Sequence, residues 1–101
     1  MLKFEMNFDR DCKSFMEAAV KVALWTKDDM EFTFPERDDR FINLSSKYVR
    51  DNENGWDGCY EVTIESQMKT TLFRYKYIDE CLEEVVEIVH EIIDGWGWYN
   101  G

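Results

Sequence analysis

The sequence predicts an α+β domain, a mostly antiparallel sheet of about five strands covered by two helices, in the order β-α-β-β-β-β-α. Three observations predict it. In five stretches apolar residues alternate singly with polar ones, the period of a strand with one buried face. In two others they recur every three or four residues, the period of a helix with one buried face. The strands from Met30 onward are joined by links too short for a parallel crossover, so those neighbours run antiparallel.

The first strand is read from Leu2, Phe4, Met6 and Phe8, which alternate with Lys3, Glu5, Asn7 and Asp9. A helix follows, which Asp9 or Asp11 can cap, with Ser14 and Glu17 offering a second capping-box register. Its expected inward stripe is Phe15, Ala19, Val22 and Thr26, flanked by Cys12, Met16 and Ala23, with Lys13, Glu17 and Lys21 outside. Leu24 then falls on the polar side as an isolated surface apolar residue.

Met30, Phe32 and Phe34 mark the second strand, which Pro35 ends. Residues 36–40 form a charged turn, and residues 41–50 a third strand through Ile42, Leu44 and Tyr48. Residues 51–58, rich in Asn, Asp and Gly, are the strongest turn signal in the chain. Tyr60, Val62 and Ile64 share one face of a fourth strand, and Thr71, Phe73, Tyr75 and Tyr77 one face of a fifth, joined through Gln67 and Met68.

The last helix is the most sharply divided element. Ile78, Leu82, Val85, Val86, Val89, Ile92 and Ile93 fall on one side, with Cys81 and Ile88 at its edge. The other side collects Glu80, Glu83, Glu84, Glu87, Glu91 and Asp94, with Asp79 and His90 between. Residues 77–101 hold seven acids and no lysine or arginine, so no cation on the helix relieves the like-charge pairs three or four residues apart. Over residues 79–94 this amounts to about one charge per 3.4 Å, comparable with one strand of B-DNA. Gly95 stands where a left-handed residue would close the helix, followed by a glycine and aromatic tail, residues 95–101, that carries Trp96, Trp98 and Tyr99. A tryptophan there can fold back over the core or stay exposed as an interface anchor.

Length and composition bound the rest. A chain of 101 residues is one domain, and 45% apolar residues supply a core despite a net charge of −10. That charge argues against direct contact with nucleic acid or anionic membranes and points to a basic partner. No leader or apolar run of membrane length is evident, so a cytoplasmic location is expected. Cys12, Cys59 and Cys81 are odd in number and lack a CxxC spacing, so reduced thiols are expected and no metal. His90 has no nucleophile near it in sequence, there is no phosphate-binding glycine loop, and residues 51–58 fail the calcium-loop pattern at Gly55 and Trp56. No enzymatic activity and no cofactor are expected.

The expectation that follows is a small acidic inhibitor or interaction protein. Glu80, Glu83, Glu84, Glu87, Glu91 and Asp94, with Trp96, Trp98 and Tyr99, would cover a basic, nucleic-acid-binding or nuclease surface of a bacterial protein. In size, compactness and concentrated acid the chain resembles anti-CRISPR proteins and DNA mimics that phages use against bacterial defences, and also toxin-immunity proteins. That resemblance lies in composition and not in a motif. The alternatives are an adaptor or subunit that uses a sheet edge and the aromatic tail, a homodimer being open to it, and a small ligand-binding or catalytic domain with a pocket between sheet and helices.

Overall fold

Every apolar alternation in the sequence turns out to face the same side of one sheet. The computed structural model describes residues 1–9, 11–37, 40–50 and 58–96. Its elements are β1 (Leu2–Glu5), α1 (Cys12–Thr26), β2 (Met30–Phe34), a 3-10 turn (Pro35–Arg37), β3 (Arg40–Val49), β4 (Cys59–Ser66), β5 (Thr70–Tyr75) and α2 (Ile78–Gly95). The five strands lie in chain order across the sheet. β1 pairs parallel with β2, the two being joined through α1, and every later neighbour is antiparallel. The predicted class and element order therefore stand, with one parallel pair.

Register explains why one face is apolar. Leu2, Met30, Leu44, Ile64 and Thr71 form one cross-strand row, and Phe4, Phe32, Ile42 and Ser66 the next. Met30, Phe32, Phe34, Ile42, Leu44, Val62 and Ile64 are buried there against both helices. The opposite face carries polar rows, among them Lys47, Glu61 and Arg74, in which Glu61 lies 3.6 Å from the Lys47 ammonium and 3.2 Å from Arg74. Such a face needs no cover.

Local chemistry sets the boundaries. The Asp9 carboxylate accepts the Asp11 N–H at 3.0 Å and starts α1, although Asp11, its N-cap residue, makes no side-chain capping bond. Lys27 ends α1 in a left-handed conformation, φ 58°, while the Asp28 N–H reaches the Ala23 carbonyl at 3.1 Å. Ser66 builds the turn into β5, accepting the N–H groups of Met68 and Lys69 at 3.2 and 3.3 Å. Gly58, at φ +115°, admits no Cβ, because one would collide with the Tyr48 ring and hydroxyl.

Two expectations are corrected. The inward face of α1 is Cys12, Met16, Ala19, Val20, Ala23 and Leu24, rotated from the expected stripe. Leu24 is fully buried, whereas Phe15 and Val22 are 46% and 55% exposed. The cause is that α1 is apolar nearly all round, so its phase is chosen by α2 packing beside it rather than by its own pattern. Gly95, secondly, is not left-handed but is the last residue of α2. The residue range 51–57, Asp38 and Asp39 of the charged turn, and the tail from residue 97 lie outside the described residues.

These positions predict opposite outcomes for two neighbours on α1. Leu24→Ala should lower the unfolding free energy by about 2–5 kcal/mol, and Val22→Ala should leave it within about 0.5 kcal/mol, as measured by urea denaturation.

Candidate functional site: the acidic face of α2

The rotation of α2 is set by Cys81, Val85, Val89, Ile92 and Ile93, which are buried against the sheet and α1. That leaves Glu80, Glu83, Glu84, Glu87, Glu91 and Asp94 exposed on its outer side, as the sequence implies. Asp79 and Glu80 occupy the first turn, the favourable end of the helix dipole.

The strip is not electrostatically uniform, because other elements bring cations and donors to parts of it. On the α1 side, the Lys13 ammonium pairs with Asp94, and the His90 ring stands 4.0 Å from Glu17. Toward β5, the Tyr75 hydroxyl donates to Glu84, and Lys69 in the turn before β5 lies 3.8 Å from Glu91. Asp79, Glu80, Glu83 and Glu87 have no ion-pair partner among the described residues. The free anionic surface is therefore the first and middle turns of α2, while its last turns are partly neutralised. Exposed pairs of this kind are worth about 0–1 kcal/mol each, so the partition matters for the surface potential more than for stability.

Of the three tail aromatics, Trp96 is among the described residues. Trp96 takes the inward course. It is 6% exposed, with ring centroids 5.4 Å from Phe34 and 5.9 Å from Phe8, and so offers no interface anchor. Arg40 stacks over its ring at 5.5 Å and donates to its backbone carbonyl at 2.9 Å. A cation and donor from β3 thus satisfy the end of α2, where the sequence suggested a left-handed glycine. Trp98 and Tyr99 lie outside the described residues. Among the described residues Tyr77, just ahead of Asp79 and Glu80 and before α2, offers an aromatic ring that is 59% exposed. The fifth strand expected to include it ends instead at Tyr75. The position of Tyr77 just ahead of Asp79 and Glu80 was the available signal.

Three titrating groups are shifted. Burial, reinforced by nearby Asp9, pushes the Cys12 thiol from 9.0 up to about 11. Burial and then Glu84 push Cys81 from 9.0 up to about 11. Burial, with the hydrogen bond to Glu84, holds the Tyr75 hydroxyl well above its ordinary value, so it remains a donor. Cys12, Cys59 and Cys81 are all free and buried. Among the described residues no group of three or more His, Cys, Asp or Glu side chains is placed to hold a metal ion. No described helix is long and apolar enough to cross a membrane.

No protein-family model, curated protein or solved structure matches the chain.

The thiol shifts predict the alkaline behaviour. Between pH 9 and pH 11 the unfolded thiols ionise while the folded ones keep their protons, so this contribution to stability is complete below about pH 9 and lost as pH rises through about 11. Thermal denaturation should show the decline across that window, and the Cys12→Ala/Cys81→Ala double variant should decline less, the remainder including Tyr75.

Proposed function

We propose that this chain is a small, non-catalytic, cytoplasmic interaction protein that occupies a basic, nucleic-acid-binding surface of a partner protein through the outer face of α2. The observation that carries this reading is the group Glu80, Glu83 and Glu87, exposed on successive turns with no cation paired to it among the described residues. Apart from the dipole position of Glu80, a stable helix gains nothing from such a group, whereas a surface rich in Lys and Arg does. Tyr77 adds an exposed aromatic contact at one end of the group. The carboxylates would compete with phosphates for the partner's cations and speed encounter, and Tyr77 would slow release. That is the action of an inhibitor of a nuclease or a DNA-binding protein, and an immunity protein over a nuclease toxin would use the same chemistry.

The triple variant Glu80→Lys/Glu83→Lys/Glu87→Lys tests this reading without touching Glu84, Glu91 or Asp94, whose contacts tie α2 to its neighbours. The variant should fold with nearly undiminished stability, because pairs such as Glu80 with Glu84 and Glu87 with Glu91 become opposite in sign, which offsets the new like pair at 83 and 87 and the less favourable dipole position at 80. A basic protein retained by the wild type at low salt should be displaced by added duplex DNA and bind the variant about tenfold or more weakly. Retention unaffected by both DNA and the triple substitution would refute the proposal.

A further inference from the structure

We propose that β1 is a self-complementary edge through which two copies of this chain join their sheets antiparallel, about a two-fold axis beside Phe4. This inference does not depend on the reading of α2. β1 is the outermost strand and pairs only with β2. Its Leu2 N–H donates to Asp29 and the Met6 N–H to Thr33, both at 2.9 Å, so the even-numbered residues turn their amides inward. By the alternation of a strand, the N–H and C=O groups of Lys3 and Glu5 point outward, and no strand among the described residues takes them.

Charge selects how a second copy would fit. Centring an antiparallel pair on Lys3 sets lysine against lysine, and centring it on Glu5 sets glutamate against glutamate. Centring it on Phe4 places Lys3 of each copy opposite Glu5 of the other, twice. Both residues carry outward amides, so these are the hydrogen-bonded positions of the new ladder. The same register brings the two Phe4 residues together on the helix side and Leu2 of one copy opposite Met6 of the other. An alternating lysine and glutamate edge therefore repels itself in the neighbouring registers and accepts itself in this one, as an isologous interface requires.

The helix beside this edge is prepared in the same way. Phe15, Ala18, Val22 and Trp25 recur at i, i+3, i+7 and i+10 on α1 and are all exposed. They lie away from α2, which α1 meets through Lys13 and Glu17. Phe15 rests on Phe4 with ring centroids 5.2 Å apart, so it comes next to the axis. Joining the sheets sets the two α1 helices side by side on one face, covering an apolar strip that a solitary helix would carry as polar residues. The acidic faces of α2 stay exposed on the far side of each α1.

Sedimentation of the full chain over a concentration series tests the pairing. The expected species has twice the 12.2 kDa mass of the chain, and the Lys3 and Glu5 amides should gain protection from hydrogen exchange as it forms. K3E and E5K, each at an exposed position, set like charges opposite each other and should raise the dissociation constant about tenfold. Mixing the K3E and E5K chains makes every facing pair opposite in sign again and should restore association. A18R, at an exposed position, should block pairing while matching the wild-type denaturation midpoint at concentrations where both chains are monomeric. A monomer throughout the series, with these amides unprotected, overturns the proposal and leaves the edge to a strand of another protein. A dimer indifferent to K3E, E5K and A18R, or a mixture that does not reassociate, also overturns it.

Discussion

Because Leu2, Met30, Leu44 and Ile64 share one face of the sheet with Phe4, Phe32 and Ile42, while Lys3, Glu31, Asn43 and Glu65 share the other, both helices must pack on the same side. That constraint propagates outward. Two helices on one face of a five-stranded sheet lie next to each other, so each has an inner side, a side turned to its neighbour and a free side. For α1 the neighbour-facing side carries Lys13 and Glu17, which meet Asp94 and His90 of α2. For α2 the flank toward the sheet edge carries Glu84 and Glu91, which meet Tyr75 and Lys69. The free sides are what remains, an acidic one on α2 and an apolar one on α1. The surface of this protein is thus a consequence of where its core admits two helices.

The sequence made the class, the element order and several strands legible, and the reasons are local. β2 and β4 are short alternations bounded by Pro35, by the Asn-, Asp- and Gly-rich sequence ahead of Cys59 and by Gln67 and Met68, so period and punctuation agree. The rotation of α2 was legible because charge and apolarity fall on opposite sides of it. α1 was not, since Phe15, Val22 and Trp25 compete on equal terms with Met16, Val20 and Leu24 for the inside. Only the position of α2 decides between them, and a helical period contains no information about a neighbour 60 residues away in the chain.

The candidate site was legible in its residue types and not in its electrostatics. Counting charges along residues 79–94 finds every carboxylate and no cation on the same helix, but Lys13 and Lys69 arrive from α1 and from the β4-β5 turn. The end of α2 depends on the fold in the same way. Arg40, 56 residues before Trp96, satisfies the carbonyl that a local glycine was expected to serve, and its guanidinium helps hold the indole inside. Caps can be read from sequence when their donors are adjacent, and not when the fold imports them.

Whether α2 tolerates its acid by necessity or by excess is a question of magnitudes. The pairs Glu80 with Glu84, Glu83 with Glu87, and Glu87 with Glu91 each oppose the helix by about 0.2–0.5 kcal/mol. Against them, Val85, Val89, Ile92 and Ile93 are essentially buried, and a buried aliphatic side chain of this size contributes about 1.5–3 kcal/mol. Burial wins several-fold, even after allowing for the entropy of ordering those side chains. The stability of α2 therefore rests on its buried side, and the exposed contacts of Glu84, Glu91 and Asp94 add little to it. The turns around Glu80, Glu83 and Glu87, which meet no cation among the described residues, are thus where folding leaves the choice of residue open.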